Sequence, residues 1–189
     1  MIRIGILGGI GSGKSYVAEC FGYPVFNADL EVSKIYKEHK QTFKKLKKTL
    51  PKHFKSFPID KIDIVNAILE NKSNLGKIVK IVHLEIRKRL NIFLKKNKRK
   101  KFVILDIPLL LENKINKKQD ILIYVQSKKT DILKRLIKRK NFNKKLMNQF
   151  RNIQLPLDVK RKKSKFIINN NFTKKSVKIK VQKILKTIL

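Results

Sequence analysis

Gly8-Gly9-Ile10-Gly11-Ser12-Gly13-Lys14-Ser15 matches G-x-x-x-x-G-K-[ST], the spacing of a loop that cradles nucleotide phosphates. The glycines permit backbone conformations closed to other residues, so successive N–H groups can turn inward as an anion nest. Lys14 adds a point charge for the β- and γ-phosphates, and the Ser15 hydroxyl can enter the shell of a Mg²⁺ ion. Ile2-Arg3-Ile4-Gly5-Ile6-Leu7 before the loop is an apolar run of strand length, and Ser15 to Phe21 after it has helical character. The loop therefore falls at a helix N-terminus, where the dipole favours phosphate. These residues predict a nucleoside triphosphate site, with Gly9, Ile10, Gly11, Ser12, Gly13, Lys14, Ser15 and Tyr16 as its contacts.

At 189 residues the chain suits one domain with room for a helical insertion. No run approaches the length of a membrane span, and the first residues read as a strand rather than a signal sequence. The only cysteine, Cys20, falls in the first expected helix and leaves no disulfide or zinc framework. A reducing, cytoplasmic setting is the expectation.

Lys and Arg total 48 against 13 Asp and Glu, a formal net charge of +35. Such an excess can mark a nucleic-acid binder. Here the lysines are spread along nearly the whole chain, and neither an RNA-reading aromatic motif nor paired Cys/His spacing accompanies them. The charge is read as solvated surface, with no dedicated nucleic-acid partner and no membrane partner. It would still attract small anionic substrates and bind polyanions non-specifically.

Beyond the first helix, Tyr23 to Asn27 reads as a short second strand closed by Ala28-Asp29. Residues 30 to 98 read as helical apart from an interruption between Pro51 and Pro58. Ile78, Ile81, Val82, Ile86, Leu90, Phe93 and Leu94 form one stripe at helical spacing. Phe102 to Asp106, Ile121 to Val125 and Phe166 to Ile168 read as three further strands, and Val177, Val181, Ile184, Leu185 and Ile188 mark a last helix. Strands separated by helices predict a five-stranded parallel sheet covered on both faces, a three-layer α/β fold with ligands at the carboxyl ends of its strands.

That rule puts Asp29, expected at the end of the second strand, and Asp106, at the end of the third, on the rim of the phosphate loop. A carboxylate there can accept a hydroxyl proton, and another can hold Mg²⁺ directly or through water. A strand-end Asp can also be a helix cap. The loop favours a catalytic reading for Asp29 and leaves metal binding as one of two readings for Asp106.

Together these features resemble the dephospho-coenzyme A kinase family nearly end to end. The loop has the family's wording, and Asn27-Ala28-Asp29 corresponds to its Asp-Ala-Asp segment. Asp106-Ile107-Pro108-Leu109-Leu110-Leu111-Glu112 resembles its Asp-Ile-Pro-Leu-Leu-Phe-Glu block, the most family-specific stretch. Arg135 and Arg139 fall at the spacing of its paired lid arginines, and Arg151, Gln154, Pro156, Lys160 and Ile168-Asn169-Asn170 follow its closing pattern. Departures are Tyr16 for Thr, Asn27 for the first Asp, Leu84 for Pro after His83, Ile132 for Gln, and Lys140 for Asp after Arg139. His83 is read as a histidine at the edge of the apolar stripe or as a contact to the acceptor.

The resemblance implies a P-loop kinase fold across residues 1–189, with a core of 1–29, 99–135 and 155–189. It further implies a helical acceptor-binding insertion at 30–98 and a lid at 136–154. It also implies an ATP-dependent phosphotransferase to an alcohol, moving the γ-phosphoryl of ATP to the ribose 3′-hydroxyl of dephospho-coenzyme A, the last step of coenzyme A biosynthesis. Asp29, Lys14 and Arg139 are then the catalytic expectations, with Arg135 weaker than Arg139. Ser15 and Asp106 are the Mg²⁺ ligands, and Asn170 lies near the adenine. A nucleoside-monophosphate-type kinase is the rival within the class, and a nucleic-acid-binding P-loop protein the rival outside it.

Overall fold

A computed structural model describes residues 1–138 and 142–189, with only the backbone of Lys174. The described elements run β1 (Ile2–Gly8), α1 (Lys14–Cys20), β2 (Val25–Asn27), α2 (Ala28–Glu38), α3 (Lys40–Thr49), α4 (Lys61–Glu70), α5 (Lys72–Lys96), β3 (Phe102–Asp106), β4 (Ile121–Gln126), α6 (Lys129–Ile137), α7 (Lys144–Asn152), α8 (Leu157–Lys162), β5 (Phe166–Asn169) and α9 (Lys174–Ile188), with a helix between successive strands everywhere except from β3 to β4. The strands form one parallel sheet in the order β2-β3-β1-β4-β5. The shortest strands, β2 and β5, are its two edges.

The chain forms two compact units. The first, 1–27, 97–142 and 153–189, holds the sheet. Side chains alternate along β1, so Ile4 and Ile6 enter one core with Val17 and Ala18 of α1, Ile104, Ile123 and Ile168 of neighbouring strands, and Val177, Val181 and Ile184 of α9. On the other face Gly5 lies under Leu110 and Leu122, whose Cδ2 atoms would come within 2.6 and 2.8 Å of an added Cβ. Glycine is what lets that layer close on the central strand. At the opposite end of the sheet, Arg3 pairs with Asp120 at 2.9 Å and donates to Ile115 O at 3.0 Å. Burial outweighs that pairing and pushes the Asp120 carboxyl above its ordinary range.

The second unit, 28–96 and 143–152, is helical. Its spine is α5, which buries Leu75, Ile78, Val82, Ile86 and Leu90 at three- and four-residue spacing. Ile81, Phe93 and Leu94 of the expected stripe are only partly buried. Helix α2 is fastened to α5 by Glu31, which accepts from Arg89 at 3.0 Å and from Lys34 at 2.7 Å. Burial would raise the Glu31 carboxyl, but these two cations hold it below its ordinary value.

One boundary corrects the sequence reading. Asp29 does not end a strand: β2 stops at Asn27, and Asp29 lies in the first turn of α2. Ala28-Asp29-Leu30-Glu31 passes into helix without a turn residue, and acids in a first turn complement the helix dipole. Asp106 does end β3, with its side chain only 4% exposed.

Candidate active site

The phosphate loop follows β1 at its carboxyl end and runs into α1, which begins at Lys14. Gly13 precedes that helix in the left-handed region, at φ 87°. A Cβ there would also strike the Asn170 side-chain amide and lie 3.2 Å from Phe172 Cε1. Both the conformation and the close neighbours require glycine. Lys14 turns back over the loop, its Nζ donating to Gly9 O at 2.8 Å and Gly8 O at 3.2 Å. Ser15 is exposed at the start of the helix.

Two side chains from other strand ends brace the loop. Asn170 Nδ2 and Ser127 Oγ both donate to Ser12 O, at 2.9 and 3.0 Å. Ser127 lies directly after β4 and Asn170 directly after β5, so the strand-end rule reaches both. Reading the sequence identified Asn170 but missed Ser127, although its position after an apolar strand carried the signal. Asn170 is 3% exposed, and its Oδ1 accepts the Phe172 N–H at 2.8 Å. The side chain expected beside adenine is thus buried against the loop it supports. Ile132 and Leu136 of α6 pack over Gly11, while Tyr16 lies against the core below. The Tyr16 hydroxyl is held above its ordinary pKa, chiefly by its hydrogen bond with Cys20.

Asp106 ends β3, the strand next to the edge strand β2, and is in register with Asn27 of β2. Asn27 Nδ2 donates to Asp106 Oδ2 at 2.9 Å. At this position an asparagine supplies a donor to the carboxylate, where an aspartate would oppose it with like charge. Asp29 follows Asn27 by two residues of chain, and its backbone oxygen accepts the Ser33 hydroxyl at 3.0 Å. Arg139 lies outside the described residues, as does Lys140. Arg135 is described: its guanidinium carbon lies 4.2 Å above the centre of the Phe172 ring.

The described residues contain no group of three or more His, Cys, Asp or Glu side chains able to hold a metal by themselves. The hard oxygen donors of Ser15 and Asp106 suit Mg²⁺, which is usually held by one or two protein oxygens and completed by phosphate oxygens and water. The residues present fit that ion.

Glu112 and Lys160 form a buried pair. Lys160 Nζ lies 2.8 Å from Glu112 Oε1 and also approaches Gln154 Oε1 at 3.3 Å and Pro108 O at 3.4 Å. The same Glu112 oxygen accepts the Leu155 N–H at 2.8 Å. This network ties the Pro108–Glu112 block to the segment leading into α8, whose Leu157 packs on Gly9. In the helical unit, His83 is partly buried on α5, and burial, then Arg87, lowers its pKa from 6.5.

A family model for dephospho-CoA kinase matches residues 2–176. A dephospho-CoA kinase from Wolbachia pipientis wMel is 33% identical over 190 residues, which cover 98% of this chain and 97% of that protein. One from Bacillus anthracis is 31% identical over 194 residues, with 98% and 96% covered. Among solved structures, a Thermus thermophilus protein superposes with a TM-score of 0.78 at 24% identity, covering 100% of this chain and 97% of its own. Dephospho-CoA kinase from Campylobacter jejuni gives 0.63 at 22% identity, with 98% and 96% covered. Both structures share the fold. No helix among the described residues is long and apolar enough to cross a membrane.

Proposed function

The chain belongs to the dephospho-CoA kinase family, and on that premise we propose that it transfers the γ-phosphoryl of ATP to the ribose 3′-hydroxyl of dephospho-coenzyme A, closing coenzyme A biosynthesis. One observation carries the reading. A braced phosphate loop ends β1, the adjacent strand β3 presents a buried Asp106, and the family match spans both.

The loop N–H groups and Lys14 would bind the β- and γ-phosphates, with Lys14 exchanging its present carbonyl partners for phosphate oxygens. Asp29 would accept the proton of the 3′-hydroxyl as that oxygen bonds to the γ-phosphorus. The bond from phosphorus to the β,γ-bridging oxygen breaks in the same in-line displacement, and ADP leaves with that oxygen. Ser15 and Asp106 would hold Mg²⁺, which when bound supplies charge neutralisation on the phosphates. Asn27 would keep the Asp106 carboxylate oriented. Arg139, in a lid spanning 136–154, would stabilise transferring charge, and the acceptor would bind within 30–98. Residues 1–29, 99–135 and 155–189 form the core of this assignment. Most of the acceleration comes from positioning and fixed charge. The high net charge, +35, would draw both anionic substrates toward the protein.

A coupled assay of ADP release tests the assignment, with dephospho-coenzyme A, AMP, shikimate and no acceptor as parallel arms. Turnover that requires dephospho-coenzyme A is the expected result. Turnover tenfold better with another acceptor overturns it.

A further inference from the structure

The amino ends of the strands carry a border of uncompensated positive charge. Lys98 to Lys101 are four consecutive cations leading into β3, Lys117 and Lys118 precede β4, and Lys163 and Lys165 precede β5. All are exposed. Their backbone is pinned at the sheet. Ile2 donates its N–H to Lys101 O and Lys165 donates its own to Leu122 O, both at 2.8 Å, while Asp120 Oδ2 accepts the Lys117 N–H at 2.9 Å. Asp120 is the one acid in segments 97–101, 113–120 and 162–165. It already pairs with Arg3 at 2.9 Å, and its side chain is only 2% exposed. Among the described residues, no ion pair involves any of the exposed cations of this border.

Along the chain these cations lie in three separate stretches, and the parallel strand order brings them together. β3, β1, β4 and β5 are successive neighbours. Neighbouring strands stand about 4.8 Å apart, so the row is about 14 Å long. The phosphate loop follows the seven residues of β1, about 20 Å of strand away at the opposite end of the sheet. The placement departs from a charge that is evenly spread and merely solvated. Like charges held side by side repel, and a bound polyanion relieves that repulsion. A narrow row matches a linear chain of phosphates better than it matches a lipid surface. Lysines are flexible point charges rather than rigid forks, so they contact phosphate without reading bases. Phe166 is partly buried beside the row, with Lys165 Nζ 5.7 Å from its ring centre. An aromatic face of this kind serves the unpaired bases of a single strand.

We propose that this border binds single-stranded nucleic acid through its phosphate backbone, without choice of sequence and apart from the phosphate loop. The surface is independent of the kinase reading. Each phosphate that a lysine neutralises releases condensed counterions, so binding weakens steeply as salt rises.

The test is fluorescence anisotropy of labelled oligouridylate and oligocytidylate, titrated with the full chain between about 50 and 200 mM salt. One variant carries Lys100→Gln, Lys117→Gln, Lys118→Gln and Lys163→Gln. A control carries as many changes on α3: Lys40→Gln, Lys44→Gln, Lys45→Gln and Lys48→Gln. Wild type should bind the two strands alike. The border variant should lose about 2–3 from the slope of log K against log salt, at about 0.7 per phosphate contact. At the low-salt end it should bind more than about tenfold more weakly. The α3 control should keep a slope within about one of wild type. The pairwise variants Lys100→Gln, Lys163→Gln and Lys117→Gln, Lys118→Gln should divide the loss between them, which keeps the test decisive if the fourfold variant does not fold. Equal losses in border and control variants, or a wild type that binds neither strand, overturn the proposal. So does binding to phosphatidylserine–phosphatidylcholine vesicles that is as tight and is lost in parallel, since the border would then recognise anionic lipid.

Discussion

Lys160 Nζ and Glu112 Oε1 are 2.8 Å apart, with the two side chains 1% and 11% exposed. A buried pair is costly to assemble, and far costlier to leave half made. Removing one partner strands the other charge away from water, whereas removing both can be nearly neutral. Lys160→Met should therefore lower stability by about 3–5 kcal/mol, and the double variant Lys160→Met, Glu112→Leu should recover most of that loss. Urea unfolding of the wild type, the single variant and the double variant measures both. A single variant as stable as wild type would show that the pair contributes no net ion pairing.

Lys14→Ala should cut kcat by about 10²- to 10³-fold, the scale of deleting one preorganised group from a developing charge. Lys14 bonds to Gly8 O and Gly9 O at the loop surface and contributes nothing to the apolar core. The melting temperature should consequently stay close to wild type. Near-normal turnover in a folded variant would remove Lys14 from the proposed phosphate contact.

Asp29→Asn separates catalysis from helix support. The residue sits in the first turn of α2, where losing a negative charge costs about 0.3–1 kcal/mol. Loss of a general base costs about 10²- to 10⁴-fold in turnover. A large fall in kcat, with melting temperature and ATP affinity little changed, is the expected outcome. If more than about a third of wild-type turnover survived, the fall would be too small for a general base, and the role would pass to Asp106.

His83 gives the fold an acid-sensitive component. Its pKa in the folded chain is depressed below 6.5, mainly by burial, so the unfolded chain takes up the proton first. Stability is then undiminished above that ordinary value and falls as pH drops through it toward the folded value. Melting temperatures measured between pH 8 and 5 should decline less for His83→Gln than for wild type. Identical slopes would show that His83 is solvated as freely in the folded as in the unfolded chain.

What could be read in advance was local. The strand, loop and helix from Ile2 to Cys20 and the apolar side of α5 are written in short-range patterns; α5 buries Ile78, Val82, Ile86 and Leu90 of the expected stripe and leaves Ile81, Phe93 and Leu94 partly exposed. The β2–α2 boundary was misplaced because Asn27-Ala28 carries no glycine or proline to punctuate it. Glu112 and Lys160 were each visible as family positions, but their pairing joins distant segments and has no local signature. The same holds for Ser127 and Asn170 meeting at one carbonyl oxygen of the loop. Least legible was Phe172, since nothing in the side chain favours the left-handed backbone that its neighbours impose.

The sheet's outermost strands carry a consequence for how copies of the chain meet. An exposed edge offers unpaired N–H and C=O groups to any strand that arrives, and long flat edges seed aggregation. Here β2 has three residues and β5 four, too few to hold a second chain in register. Lys163 and Lys165 stand just before β5, and Asn170 and Asn171 follow it. An incoming copy also brings the same excess of positive charge, which opposes close approach at low ionic strength. Short borders and mutual repulsion together should keep concentrated solutions of this chain from growing by strand addition, and added salt weakens only the second of these barriers.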